Sequence, residues 1–387
     1  MASSRSLNQR KRVLLMISSM RGGGSERQVL LLAQHLSRDH FEPHLYLSEA
    51  AGPFLDQVPN DVQIHPYQAS SARQLYFPGR ALREQTAYVR QLIRDNQIDA
   101  VYDRTFHMSI LAGQAARGIR RVSTIVSPPH LALPAVESRF IGLKRRRLAK
   151  SYRCSDVVVA VSHQAAESAE QYYGLRPGSV QVIPNPVVVS QSFRDDLDHA
   201  SSDPNTTKLV CVGRMTSEKG HSDLIEALAT VIKHWPQERP RLQLRLVGDG
   251  ILRPNLEAQV QQLGLQSHCQ FLGHLDNATE EIRSADALVL PSRFEGMPNV
   301  VLESMALGTP VIATRAGGTT ELQHDEPTAF WADVAKPDSI ATAILEFAKH
   351  AERANQHRRA ALKMIKEHHD LGKAIARIES LLDPERG

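Results

Sequence analysis

The chain has 387 residues, 42% hydrophobic and 23% charged, enough for two or three domains with sizeable cores. No apolar run approaches the length of a membrane span. The net charge of +4 and pI of about 9.0 are too mildly basic to argue for nucleic acid, and suit a small polyanionic ligand or an anionic membrane face.

Residues 3–12 are polar and basic, and an apolar run follows at 13–17. That run is too short for a good signal-peptide core, lacks a small-residue cleavage site, and leads straight into Arg21-Gly22-Gly23-Gly24. A first strand over 13–18 is expected instead. Helical spacing at 26–36, a strand at 44–47 and an amphipathic helix at 83–95 come next. Then follow a strand at 100–102, a helix at 110–116 and a strand at 122–126. Residues 142–153 form a basic helical stretch with Lys144, Arg145, Arg146, Arg147, Lys150 and Arg153. Its functional reading is docking on an anionic membrane that presents a lipid-linked acceptor, and the plainer one is a solvated helix face.

A buried strand at 157–161, a helix at 165–172 and a strand at 180–183 close this half, and Pro184-Asn185-Pro186-Val187 reads as a structural turn, with a cleft-facing place left open. The polar stretch 190–206 breaks the pattern and reads as a linker. Strands resume at 209–212, 242–247, 269–272, 287–290 and 311–313, and 365–382 is helical. Strands alternating with helices imply parallel βαβ units, hence two doubly wound α/β domains, 1–189 and 207–365. Three widely spaced cysteines, Cys154, Cys211 and Cys269, read as buried thiols in a reducing cytosol, with no metal-like spacing.

Several turns after strands carry chemistry. Gly22, Gly23 and Gly24 open a helix, where backbone comes close to a ligand and the helix N-terminus favours phosphate. Gly213-Arg214-Met215-Thr216-Ser217-Glu218-Lys219-Gly220 supplies two cations, and Gly248-Asp249-Gly250 is a tight turn, near a nucleotide or purely structural. In 291–321 a loop carries Glu295 and Gly296, Pro298 suits the first helical turn, and Glu303 lies inside the helix that Gly308 ends. Met297, Pro298 and Asn299 mark an anion site at that helix start, while two flanking acids suit hydroxyls attached to the anion. A diphosphate with a sugar at each end, one of them a ribose, meets both demands.

Glu295-x7-Glu303, within Ser-Arg-Phe-Glu-Gly-Met-Pro-Asn-Val-Val-Leu-Glu-Ser-Met-Ala-Leu-Gly-Thr-Pro-Val-Ile-Ala-Thr, resembles the signature of the retaining nucleotide-sugar glycosyltransferases of family four. The resemblance covers roughly residues 13–382, is most specific over 209–325 and is diffuse over 40–150. It implies the GT-B fold: two Rossmann-like doubly wound domains facing a cleft, with the final helix, 366–387, packing back on the first domain. It further implies transfer of a sugar, with retention, from a nucleoside-diphosphate donor to an acceptor hydroxyl of a lipid-linked or polysaccharide glycan. The location it implies is the cytoplasm, at most peripheral on the inner membrane face. Neither a cofactor nor a metal is expected, and no nucleic acid.

By the same resemblance Glu295 holds the donor sugar, Glu303 the ribose, and Arg214 and Lys219 the donor phosphates. The glycine loop Gly22–Gly24 meets the diphosphate or the acceptor, and Gly248 and His274 lie near the nucleotide. A His or acid in the first domain is expected close to the donor sugar, with His107 and His130 as candidates and His130 preferred. Two rivals stay open. One is a nucleotide-sugar 2-epimerase of the same fold, which needs no acceptor, and the other is a non-catalytic glycan- or nucleotide-binding relic.

Overall fold

A computed structural model describes residues 10–67, 79–137, 139–189 and 205–386. The polar start at 3–9 and the linker stretch 190–204 lie outside the described residues. The chain divides into two compact units, one running to Pro184 and resuming at Gly372, the other Asn185–Leu371.

Among the described residues the first unit holds seven parallel strands: β1 (Lys11–Ile17), β2 (Phe41–Leu47), β3 (Gln63–Pro66), β4 (Ala100–Arg104), β5 (Arg120–Ile125), β6 (Val157–Ala160) and β7 (Val180–Val182). Their order is β3-β2-β1-β4-β5-β6-β7. Helices α1 (Gly24–His35), α2 (Arg80–Asp95), α3 (Phe106–Ala115), α4 (Pro129–Val136), α5 (Ile141–Arg153) and α6 (His163–Tyr173) belong to the same unit. Residues 13–17 of β1 are wholly buried, as expected of a strand covered by helices on both sheet faces.

The second unit has β8 (Thr206–Val212), β9 (Arg241–Val247), β10 (Cys269–Gly273), β11 (Ala287–Leu290), β12 (Val311–Thr314) and β13 (Phe330–Ala332), ordered β10-β9-β8-β11-β12-β13. Its helices are α7 (His221–His234), α8 (Arg253–Gln262), α9 (Thr279–Arg283), α10 (Asn299–Leu307), α11 (Pro337–Lys349) and α12 (Ala351–His368). Leu224, Leu228, Leu244, Ile312 and Ile344 centre its core. In both sheets the strand order reverses beside the first strand, between β1 and β4 and between β8 and β11. Loops leaving the carboxyl ends of strands at such a reversal form the ligand crevice of open α/β sheets.

Three expectations need correction. The helix expected over 365–382 is two helices, α12 and α13 (Leu371–Leu382), because Asp370 leaves helical geometry to pair with Val187. Helix α13 belongs to the first unit, where Glu379 accepts from the Ser37 N–H and the Leu381 carbonyl accepts from Arg120. Pro298 caps α10 in extended geometry (φ −78, ψ 104) rather than occupying its first turn. Cys154 is exposed, since α5 ends there and turns Leu148, Ala149 and Tyr152 inward instead, while Cys211 and Cys269 are buried.

Candidate active site

In the second unit the loops after β8 and β11, the strands flanking the reversal, are joined at several points. Lys219 Nζ donates to Glu295 Oε1 at 2.6 Å, and Ser292 Oγ donates to the same oxygen at 2.7 Å. Glu295 Oε2 takes no hydrogen bond among the described residues. The carboxylate is thereby oriented, with one oxygen anchored by a cation and a hydroxyl and the other left as an acceptor. Arg293 clamps Asp223 through two hydrogen bonds of 2.8 and 3.0 Å, which raise its pKa further, and its N–H donates to the Glu218 carbonyl at 2.7 Å. Gly220 adopts φ +66, and a Cβ there would strike the Pro291 carbonyl. These are backbones in direct contact, and only glycine permits it.

The loops after β9 and β10 join the same assembly. Gly213 N–H donates to Val247 O at 3.0 Å, Met215 N–H to Asp249 O at 2.9 Å, and Gly248 N–H to Gly273 O at 2.7 Å. Gly248 has φ +126 and lies against the Gly213 carbonyl. The Gly248-Asp249-Gly250 turn thus has a structural task, holding the Gly213–Gly220 loop.

Arg214 stands apart from the Lys219–Glu295 pair: its side chain is 73% exposed and its ion pair, at 3.6 Å, is with Glu218. Gly296, Met297 and Pro298 are buried before α10, Asn299 opens it, and Glu303 is half-buried one turn in. His274 is half exposed, 3.7 Å from Asp276.

The remaining candidates belong to the first unit. Gly22, at φ +94, leads into Gly23, the N-cap of α1, and Gly24 begins that helix just after β1. His130 is exposed on α4, with Nδ1 2.6 Å from Ser168 Oγ on α6. His107 lies on α3, 2.8 Å from Gln85, its pKa lowered chiefly by burial.

Sequence reasoning missed Ser292, Arg293, Asp223 and His221. His221 is 2% exposed, and burial, helped by Lys219, lowers its pKa to about 4. It shares the inward face of α7 with Leu224, Ile225 and Leu228, a periodicity legible in the sequence. Asp223 in the first turn of α7 was visible as an acid at a helix start, but its partner lies 70 residues away.

The family Glycosyl transferases group 1 matches residues 193–364, and Glycosyltransferase Family 4 matches 22–191. A lipopolysaccharide core biosynthesis glycosyltransferase of Rhizobium meliloti is 28% identical over 193 residues, 50% of this chain and 54% of that one. The chain spans about half the length of the first curated relatives it matches. A Campylobacter jejuni N-acetylgalactosaminyltransferase named for a diphospho-undecaprenol substrate is 24% identical over 84% of this chain and 87% of its own. Among solved structures, Anabaena HepE in complex with UDP and glucose has a TM-score of 0.77 at 21% identity, covering 96% of this chain and 98% of that one. Sucrose-phosphate synthase from Thermosynechococcus elongatus has a TM-score of 0.80 at 17% identity, over 96% and 98% of the two chains. These structural likenesses carry the fold alone. Two family matches that follow one another along the chain, on two parallel-sheet units with reversal-point loops, identify it as a member of the group 1 glycosyltransferases with the GT-B fold.

Proposed function

We propose that the protein is a retaining glycosyltransferase that moves a hexose from a nucleoside-diphosphate sugar to an acceptor hydroxyl on a lipid-linked or polysaccharide glycan. The observation that carries this reading is the anchored Glu295, bound to Lys219 and Ser292 at the reversal of the second sheet. Lys219 and Arg214 meet the charge that develops on the departing diphosphate, the one as a point charge and the other as a bidentate donor. Glu295 Oε2 accepts a donor-sugar hydroxyl, Glu303 accepts from the ribose, and Met297–Asn299 at the start of α10 favours the phosphates. Gly248 and His274 border the nucleotide, Gly22–Gly24 approach the diphosphate or acceptor, and His130 serves the acceptor side. The leaving phosphate assists front-face attack, so no protein nucleophile, metal or cofactor is required.

The UDP named with HepE and the diphospho-undecaprenol named for the Campylobacter jejuni protein suggest where to begin with donor and acceptor. The test is thermal shift with UDP, GDP, ADP and their sugars, followed by product analysis with lipid-linked and glycan acceptors. One diphosphate should raise Tm, Glu303→Ala and Arg214→Ala should lose the rise, and the product anomer should match the donor's. A new sugar epimer with no glycosidic product would assign the 2-epimerase instead. No shift with any nucleotide would sink the transferase reading.

The acceptor side extends to an anionic membrane face. Val136, Phe140 and Leu143, 61%, 80% and 49% exposed, sit where α4 gives way to α5, and Arg146, Arg147 and Lys150 continue the exposed face of α5. An apolar tip followed by a basic stripe suits the interface of an anionic bilayer. Among the described residues no helix is long and apolar enough to cross a membrane. Flotation with phosphatidylglycerol vesicles should carry the protein upward, and Phe140→Asp should release it.

A further inference from the structure

Asn185 is 4% exposed, at the point where the chain enters the second unit. Its Nδ2 donates to Asn299 Oδ1 at 3.0 Å and faces the Met297 carbonyl at 3.4 Å. A carbonyl oxygen only accepts, so the NH2 end of Asn185 must face this way, and Asn299 must present its oxygen in return. The same residue's backbone carbonyl accepts from His369 Nδ1 at 2.7 Å. Beside it Val187 N–H donates to His369 O at 3.1 Å, and Val187 pairs with Asp370. His369 and Asp370 are where the chain prepares to leave the unit at Leu371. One buried asparagine therefore ties both chain crossings to the two residues that flank Pro298 at the start of α10. Nothing in the composition of Pro184-Asn185-Pro186-Val187 announces this.

We propose that Asn185 is a positioning residue for the donor loop, holding Met297 and Asn299 in place and coupling nucleotide occupancy there to both chain crossings. The inference rests on the donor-site reading given above. A buried amide satisfied by two acceptors on one short segment fixes that segment's backbone, and removing the donor leaves a buried carbonyl without a partner. Coupling is reciprocal: whatever nucleotide gains by ordering Met297–Asn299, the crossings gain by having it bound.

The test uses the full chain and the nucleoside diphosphate that raises Tm. Hydrogen exchange is followed at 184–188 and 366–371, where the Val187 amide, bonded to His369 O, is the reporter. Saturating nucleotide should slow exchange there in the wild-type protein. Asn185→Asp keeps the shape but turns a carboxylate toward two acceptors. It should raise the nucleotide Kd and donor KM about tenfold, roughly the effect of one hydrogen bond, with kcat changed less. It should also abolish the protection of 366–371. Asn185→His, which retains a ring N–H donor, should restore part of the affinity. Wild-type crossings indifferent to saturating nucleotide would overturn the proposal without any variant being needed. So would an Asn185→Asp protein that binds nucleotide normally. A wild-type protein that binds no nucleotide overturns the donor reading, and this proposal with it.

Discussion

Lys219 and Ser292 hold Glu295 through one oxygen, so each partner's removal should have its own signature. Lys219→Ala is expected to lower kcat roughly 10²-fold or more, as loss of one electrostatic donor to a developing anion does. Its fold should be retained, because the Lys219 side chain is still 23% exposed. Steady-state kinetics with the identified donor, beside circular dichroism, checks this. Asp223→Ala works at one remove. It frees Arg293 from its clamp, and the donor KM should rise several-fold while kcat changes little. An unchanged KM would show that the Arg293 backbone bond to Glu218 holds the loop by itself. Lys219 and Glu295, which the structure pairs, were singled out because each lies in a short motif at fixed spacing. The Asp223–Arg293 clamp was not, because two charged residues 70 apart give no local pattern.

Among the elements, the parallel strands were the easiest to read. Strand β11 and the inner stretches of β1 (13–17) and β8 (209–212) are continuous apolar runs because helices cover both faces of their sheets. Strand β3 (Gln63–Pro66) went unread, for it lies at the sheet edge and buries no residue fully. Helix α4 went unread because Pro134 lies inside it, against the ordinary rule for helices. The β8–β11 loops depend on backbone contacts, and that gives a contrast between two substitutions. Leu228→Ala in the core of α7 should cost about 3 kcal/mol in urea unfolding and leave donor KM alone. Gly248→Ala forces φ +126 on a residue with a Cβ that meets the Gly213 carbonyl, so it should cost about 2 kcal/mol and raise donor KM as well.

At the scale of the whole molecule, buried imidazoles set the response to acid. His221 and His369, 2% and 3% exposed, have pKa values lowered from 6.5 to about 4, chiefly by burial. Between those pH values the unfolded chain takes up protons that the folded chain refuses, so stability is full above pH 6.5 and falls as pH drops toward 4. The loss is bounded by about 3 kcal/mol for each group. Urea midpoints at pH 7 and pH 5 should differ accordingly, and His221→Leu should shrink the difference. The pairing of Val187 with Asp370 has another consequence, for engineering. Because the second unit begins and ends with neighbouring strand-like residues, Asn185–Leu371 has the anatomy of an insert: its termini already touch. Expressed by itself, that fragment should fold autonomously, and it should tolerate circular permutation with a few glycines bridging its natural ends.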